Sequence, residues 1–171
     1  MTILENIKNI PFEILSVLSQ DKEFKQLLVC DENNFDQSTE VAITENDLLN
    51  TYITMMPSIE NGIIKMNRNS FAIIQIDDLS FSNWENNLQC SGSIIIGTDK
   101  EHSIILKNKK YTLRLLEMID RVHSILNGYK FVAAGKMEIQ YASSLTFSEY
   151  SFGYRIKFVI SDQQNQEKVE I

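Results

Sequence analysis

An α+β fold, in which a central amphipathic helix packs on one face of an antiparallel or mixed β-sheet, is predicted by three observations. The first is the stretch 111–131, YTLRLLEMIDRVHSILNGYKF, the longest segment whose apolar residues keep a helical period. Leu115, Met118, Ile119, Val122, Ile125 and Leu126 fall on one face, read as core; Arg114, Glu117, Asp120, Arg121 and Ser124 fall on the other, read as wet. The second is that isoleucine-rich, strand-like runs stand on both sides of this helix, so both flanks supply one sheet. The third is a separate helical stripe over residues 1–30, which adds N-terminal helices to the sheet and its central helix.

In chain order, Thr2 with Glu5 three residues on has the form of a capping box, and Ile3, Leu4, Ile7 and Ile10 begin the stripe. Pro11 interrupts it, so either a new helix starts there or a bent one continues through Phe12, Ile14, Leu15, Val17 and Leu18. Asp21 is placed to cap a further short helix carrying Phe24, Leu27 and Leu28. This helical segment docks either on the parent sheet or on a neighbouring subunit. Residues 31–50 then bring Asp31, Glu32, Asp36, Glu40, Glu45 and Asp47 without one Lys or Arg, which reads as an acidic exposed loop or arm. Residues 44–56 hold another short helix or turn, ending at Pro57.

Strand signals follow at Ile63, Ile64 and 71–76 (FAIIQI). The segment 77–87 is a polar connection containing Trp84, which either anchors an interface or covers a core edge. Residues 88–96 alternate Leu88, Cys90, Gly92, Ile94 and Ile96 on one face, and a turn at Gly97, Thr98, Asp99 and Lys100 leads to a strand at 102–106, predicting a hairpin. The central helix spans about 111–127, with Thr112 as N-cap and Gly128 closing it in the left-handed conformation. Beyond it, Met137, Ile139 and Tyr141 alternate against Glu138 and Gln140. Phe152, Tyr154, Ile156, Phe158 and Ile160 alternate against Gly153, Arg155, Lys157 and Val159, which predicts an antiparallel pair with one face against the helix. Residues 161–171, SDQQNQEKVEI, have no period and read as a flexible tail or a pairing segment.

Length and composition bound the function. At 171 residues, 43% hydrophobic and 23% charged, the chain is too apolar for disorder and is expected to form a single domain, 1–171. The net charge of −7, with Lys and Arg scattered, argues against gripping a phosphate backbone or an anionic membrane. Cys30 and Cys90 are expected to be reduced, packed thiols. The N-terminus lacks a basic region and a small-residue cleavage site, and no apolar run reaches membrane-spanning length, which points to cytosol-like conditions.

A search for chemistry returns no constellation. His102 and His123 lack metal-ligand spacing; Asp120, one turn from His123, is within reach of it, but no nucleophile accompanies them. Gly92, Gly97, Gly128 and Gly135 form neither a phosphate loop nor a dinucleotide fingerprint, and the acidic stretch lacks the ligand pattern of a calcium loop. Adjacent Asp77 and Asp78 point apart on a strand. The expectation is a protein that is not an enzyme, with no catalytic, cofactor-binding or metal residues and no cofactor.

The runs LSVLSQDKEFKQLLVC (15–30), YTLRLLEMIDRVHSILNGYKF (111–131) and AAGKMEIQYASSLTFSEYSFGYRIKFVISD (133–162) resemble small structural proteins of the tail and neck of tailed bacteriophages, the tail-terminator, tail-completion and head-to-tail joining group. The likeness lies in the order of features. Helical residues precede mixed strands; Tyr111, Leu113 and Arg114 lead into a helix with Ile119–Asp120 that ends at Asn127–Gly128; a strand from Gly135 and a Gly153–Tyr154 strand follow. The resemblance implies a virion protein, assembled in the bacterial host cytoplasm, that forms a homo-oligomeric ring in the neck or at the end of the tail tube. Its partners would be neighbouring tail and neck proteins, with no membrane contact and with DNA passing through without specific binding. The alternatives are a cytosolic protein–protein adaptor and a small-molecule enzyme on an α+β sheet, the latter needing a pocket where Asp120 and His123 meet a third polar group.

Overall fold

A computed structural model of the chain describes residues 3–30, 43–49, 51–55, 59–60, 63–64, 69–82, 87–107, 110–131 and 135–161. The helices are α1 (Ile3–Gln20), α2 (Lys22–Val29), α3 (Glu45–Leu48) and α4 (Arg114–Leu126). The strands are β1 (Ile53–Thr54), β2 (Ile59–Glu60), β3 (Ile63–Ile64), β4 (Ser70–Ser82), β5 (Asn87–Asp99), β6 (Ile104–Lys107), β7 (Lys110–Leu113), β8 (Lys130–Phe131), β9 (Gly135–Thr146) and β10 (Ser151–Ser161). A curled six-stranded sheet runs β1-β4-β5-β10-β9-β8, parallel only at β1/β4, while β2/β3 and β6/β7 are separate two-stranded pairs. This is the α+β, mixed-sheet architecture read from the sequence, with both flanks of α4 contributing strands.

Alternation builds the core. The central pair β5/β10 places Ile96 opposite Tyr154, Ile94 opposite Ile156 and Cys90 opposite Ile160. Those residues join Ala72 and Ile74 of β4 in one cluster under Leu115, Met118, Val122 and Leu126 of α4. Ile10, Ile14, Leu15 and Leu18 of α1 and Phe24, Leu27 and Leu28 of α2 belong to the same cluster, so the N-terminal helices dock on their own sheet. α1 continues through Pro11 as one helix. Asp21 caps α2, its Oδ1 accepting the Phe24 N–H at 2.7 Å, which satisfies a donor that the first helical turn leaves open. The capping-box residue Thr2 lies outside the described residues.

The opposite face holds a smaller cluster of Phe71, Ile73 and Ile95 with Leu145 and Phe147 against it. The Phe147 ring lies over the cross-strand pair Gly97 and Gly153, with its centroid 5.2 Å from that of Phe71.

Several expectations are corrected. α4 begins at Arg114 rather than at 111, because residues 110–113 pair with β6; its N-cap is Leu113, which makes no side-chain cap bond, while the Thr112 hydroxyl donates to Glu117 at 3.0 Å. The C-terminal end is as predicted, with Gly128 at φ +86°. The hairpin of 88–96 with 102–106 is absent: β5 runs on through Gly97 and Thr98 to Asp99, a 3₁₀ turn Lys100–His102 follows, and β6 pairs with β7. The sequence Gly-Thr-Asp is held in the ladder by Gly153, Phe152 and Ser151 of β10, a long-range pairing that overrides the local turn signal.

β4 extends to Ser82 through much of the supposed connection, with a bulge at Asp77; Trp84 lies outside the described residues. A second bulge, at Gln140 of β9, turns Tyr141 to the face opposite Met137 and Ile139. The acidic stretch 31–50 is not an arm throughout. Thr44 caps α3 and Leu48 is fully buried, whereas residues 31–42 lie outside the described set, as does the tail from 162.

Candidate functional site

The region with the most unusual chemistry is the junction of β7 and α4. Arg114, assigned by periodicity to the wet face, is only 2% exposed. Its Nε donates to the His102 carbonyl at 2.8 Å and its Nη1 to the Leu27 carbonyl at 2.7 Å, while its backbone N–H reaches the Ser103 carbonyl at 2.8 Å. Leu27 lies in the last turn of α2, where carbonyls lack intrahelical donors and the helix dipole favours a cation. One guanidinium therefore ties α2, the 3₁₀ turn and the start of α4 together, as a planar fork with several donors can.

Two more residues of the supposed wet face of α4, Glu117 and Arg121, are tied to α2 and its cap, whereas Asp120 and Ser124 are exposed. Arg121 pairs with Asp21 and stands 3.6 Å from Glu23, and Lys107 of β6 is shared between Glu23 and Glu117. The hydrogen bond from Lys107, against opposing burial and with help from Thr112, holds the Glu117 carboxyl below its usual range. Burial works against the charge on Lys107, but the bonds it donates to Glu117 and Glu23 raise its pKa. A lowered carboxylate pKa contributes stability above the unfolded value of about 4.3, lost as pH falls through the folded value; the raised lysine contributes below about 10.4, lost as pH rises through its folded value. Melting temperature should therefore fall on acidification from about pH 5 to pH 3, and Glu117→Gln should shrink that fall, as thermal melts across this range will measure.

Next to Arg114 the chain exposes apolar surface. The β6/β7 hairpin pairs Ile104 with Leu113, and these side chains are 50% and 47% exposed; Tyr111 is 76% and Leu116, on the first turn of α4, 49% exposed. Beside them opens a cleft of about 170 Å³ lined by Leu113, Leu115, Leu116, Phe152 and Tyr154, with Ser144, Leu145 and Thr146 of β9 on its far wall. Four large exposed apolar side chains, two of which line an apolar cleft, form the kind of patch that marks an interaction surface.

With this geometry in view, comparison with known families is informative: the YomW family matches the chain over residues 21–160, from the α2 cap through β10. The chain belongs to the YomW family. The family is phage-derived, so this is a phage protein in origin. No curated protein matches the chain.

The YomW match contains every residue that sequence inspection singled out for chemistry. Among the described residues the fold does not assemble them. His102 sits in the 3₁₀ turn with its Nε2 3.2 Å from the Asn69 amide nitrogen, and its Nδ1 is buried with no hydrogen-bond partner among the described residues. His123 and Asp120 are on the exposed side of α4, and no hydrogen bond or ion pair joins them. Asp77, the bulge residue, accepts from Ser93 at 3.0 Å and Lys157 at 2.6 Å. Among the described residues no three His, Cys, Asp or Glu side chains converge as a metal site, and no helix is long and apolar enough to cross a membrane.

Cys30 and Cys90 are free thiols, and burial, with the charges of Asp77 and Asp78, pushes the Cys90 thiol up to about 11. It is an inert core residue at neutral pH. What sequence inspection missed in this family member is Arg114 and the patch beside it. The one available signal was the alternation of Tyr111 and Leu113 ahead of the helix, which reads as strand once the helix start is moved to Arg114.

Proposed function

We propose that this phage-derived chain is a structural protein of the virion, a ring in the neck or at the end of the tail tube that joins tail to head connector. The observation that carries the reading is the exposed apolar patch of Ile104, Tyr111, Leu113 and Leu116 beside the cleft at the β7/α4 junction. Such a surface is suited to burial against neighbours, and a closed ring is built by placing unlike patches of successive copies together. The resemblance in the order of elements points to the same class. A net charge of −7 suits a channel through which DNA must slide, because phosphate is repelled rather than held.

The test is made in particles of the phage that encodes the chain. Mass spectrometry of purified virions is expected to find the wild-type protein, and Leu113→Asp with Leu116→Asp, both at exposed positions, is expected to leave a folded protein that is not incorporated, with heads and tails unjoined. Wild-type protein present in the cell extract but missing from purified virions would defeat the virion reading in favour of a cytosolic adaptor using the same patch.

A further inference from the structure

We infer that two copies of this chain pair through the open edge of β9, antiparallel and across a two-fold axis at Ser144. The edge of β9 is covered at its beginning and bare at its end. Lys136 and Gly135 pair with β8, Met137 exchanges bonds with Gly128 and Tyr129, and the Ile139 N–H is taken by the Asn127 side chain at 3.0 Å. After the Gln140 bulge this cover stops, and among the described residues no outward partner is met from Tyr141 to Thr146. Ala142, Ser143, Ser144 and Thr146 are exposed. The stretch YASSLT has no Lys, Pro, Asp or Glu, the residues by which sheets guard an open edge. On the other side of the sheet, β4 is paired with the short β1 only at Ala72 and Ile73, and beyond that pairing it does carry such a guard in its Asp77 bulge.

The direction of the free groups follows from the hairpin. The Phe147 N–H points inward, donating to the Ser151 carbonyl, so alternation turns the N–H and C=O groups of Thr146, Ser144 and Ala142 outward. The bare stretch is bounded by the bulge on one side and the hairpin turn on the other, and its middle residue is Ser144.

Two copies centred there set Ser144 against Ser144, and Ala142 against Thr146 in both directions. Each of these pairs exchanges both of its backbone hydrogen bonds. The side chains meeting on the helix face are small. On the opposite face the same register brings Tyr141, 55% exposed, across from Phe147 and Ser143 across from Leu145 of the other copy. Tyr141 thus gains the apolar strip that Leu145 and Phe147 extend towards it.

Any antiparallel edge is self-complementary under a two-fold, which is why the occupant is a second copy. The apolar clefts, each walled by Ser144 and Thr146, come to lie on the same side of the joined sheet. This pairing does not rest on the ring: a two-fold contact is isologous and ring closure is heterologous, so the two are different contacts, although Ser144 and Thr146 border both.

The test uses the full chain and exploits the self-pairing of one position. Native mass spectrometry and sedimentation across a micromolar concentration series are expected to show a dimer. Ser144→Lys and Ser144→Glu each set like charges face to face and are expected to be folded monomers, with melting temperatures that no longer depend on protein concentration, while an equal mixture of the two restores the dimer. Ser144→Pro, which removes an outward N–H and no bond to β10, is expected to be monomeric as well. A wild-type monomer throughout the series, a dimer in either charged variant, or a mixture that stays monomeric overturns the pairing. A larger ring indifferent to Ser144→Lys also overturns it while favouring the ring reading, whereas a dimer with no protein in virions leaves the pairing standing and removes the ring.

Discussion

Arg114→Ala is expected to lower the unfolding free energy by about 3–5 kcal/mol, read as a shift of the urea midpoint. The change strands the carbonyls of Leu27 and His102 in a region where the replaced side chain is 2% exposed. Each buried acceptor left without a donor costs about 1–3 kcal/mol, and the aliphatic stem that filled the joint is lost as well. A loss of this size is a large share of the stability of an ordinary domain, about 5–15 kcal/mol. Arg114→Lys should recover only part of it, because a single ammonium does not span acceptors that the planar guanidinium reaches from separate nitrogens. An alanine variant with the wild-type midpoint would show that these bonds do not hold α2 to the helix junction.

Gly153→Val is expected to cost about 3–4 kcal/mol, at or beyond the upper end of ordinary overpacking. A Cβ at this position would stand 2.0 Å from the Ile96 carbonyl oxygen and 2.7 Å from the Phe147 ring. The ring can swing aside, but the carbonyl belongs to the ladder between β5 and β10 and cannot move without opening the centre of the sheet. The same clash predicts a lowered melting temperature, and normal stability in this variant would show that the pairing of Gly97 with Gly153 is not the tight point of the fold.

The candidate surface was far less legible than the fold. His102, His123 and Asp120 drew notice as residue types, yet the structure leaves His123 and Asp120 on the exposed side of α4 and His102 in a turn. The exposed patch depends on Leu113 lying in a strand that pairs with Ile104, and that pairing replaced the predicted hairpin with β5. The free edge of β9 likewise depends on where β8 and the Asn127 side chain stop covering it.

By itself the sequence determined what local geometry can encode. Strict alternation from Phe152 to Ile160 put the correct face of β10 into the core, the 3.6-residue period did the same for Leu115, Met118, Val122 and Leu126, and Asp21 and Gly128 marked the ends of α2 and α4. These signals are local because side-chain direction repeats with backbone period and caps act within one turn. Only the tertiary structure decided that Arg114 is buried, since its acceptor Leu27 is 87 residues away in sequence. It also decided that β6 joins β7, and that Tyr141 faces away from Met137, because strand partners and bulges are chosen by register across the sheet. A period of two shifts faces completely when one extra residue, here Gln140, is inserted, and nothing in the neighbouring residues announces it.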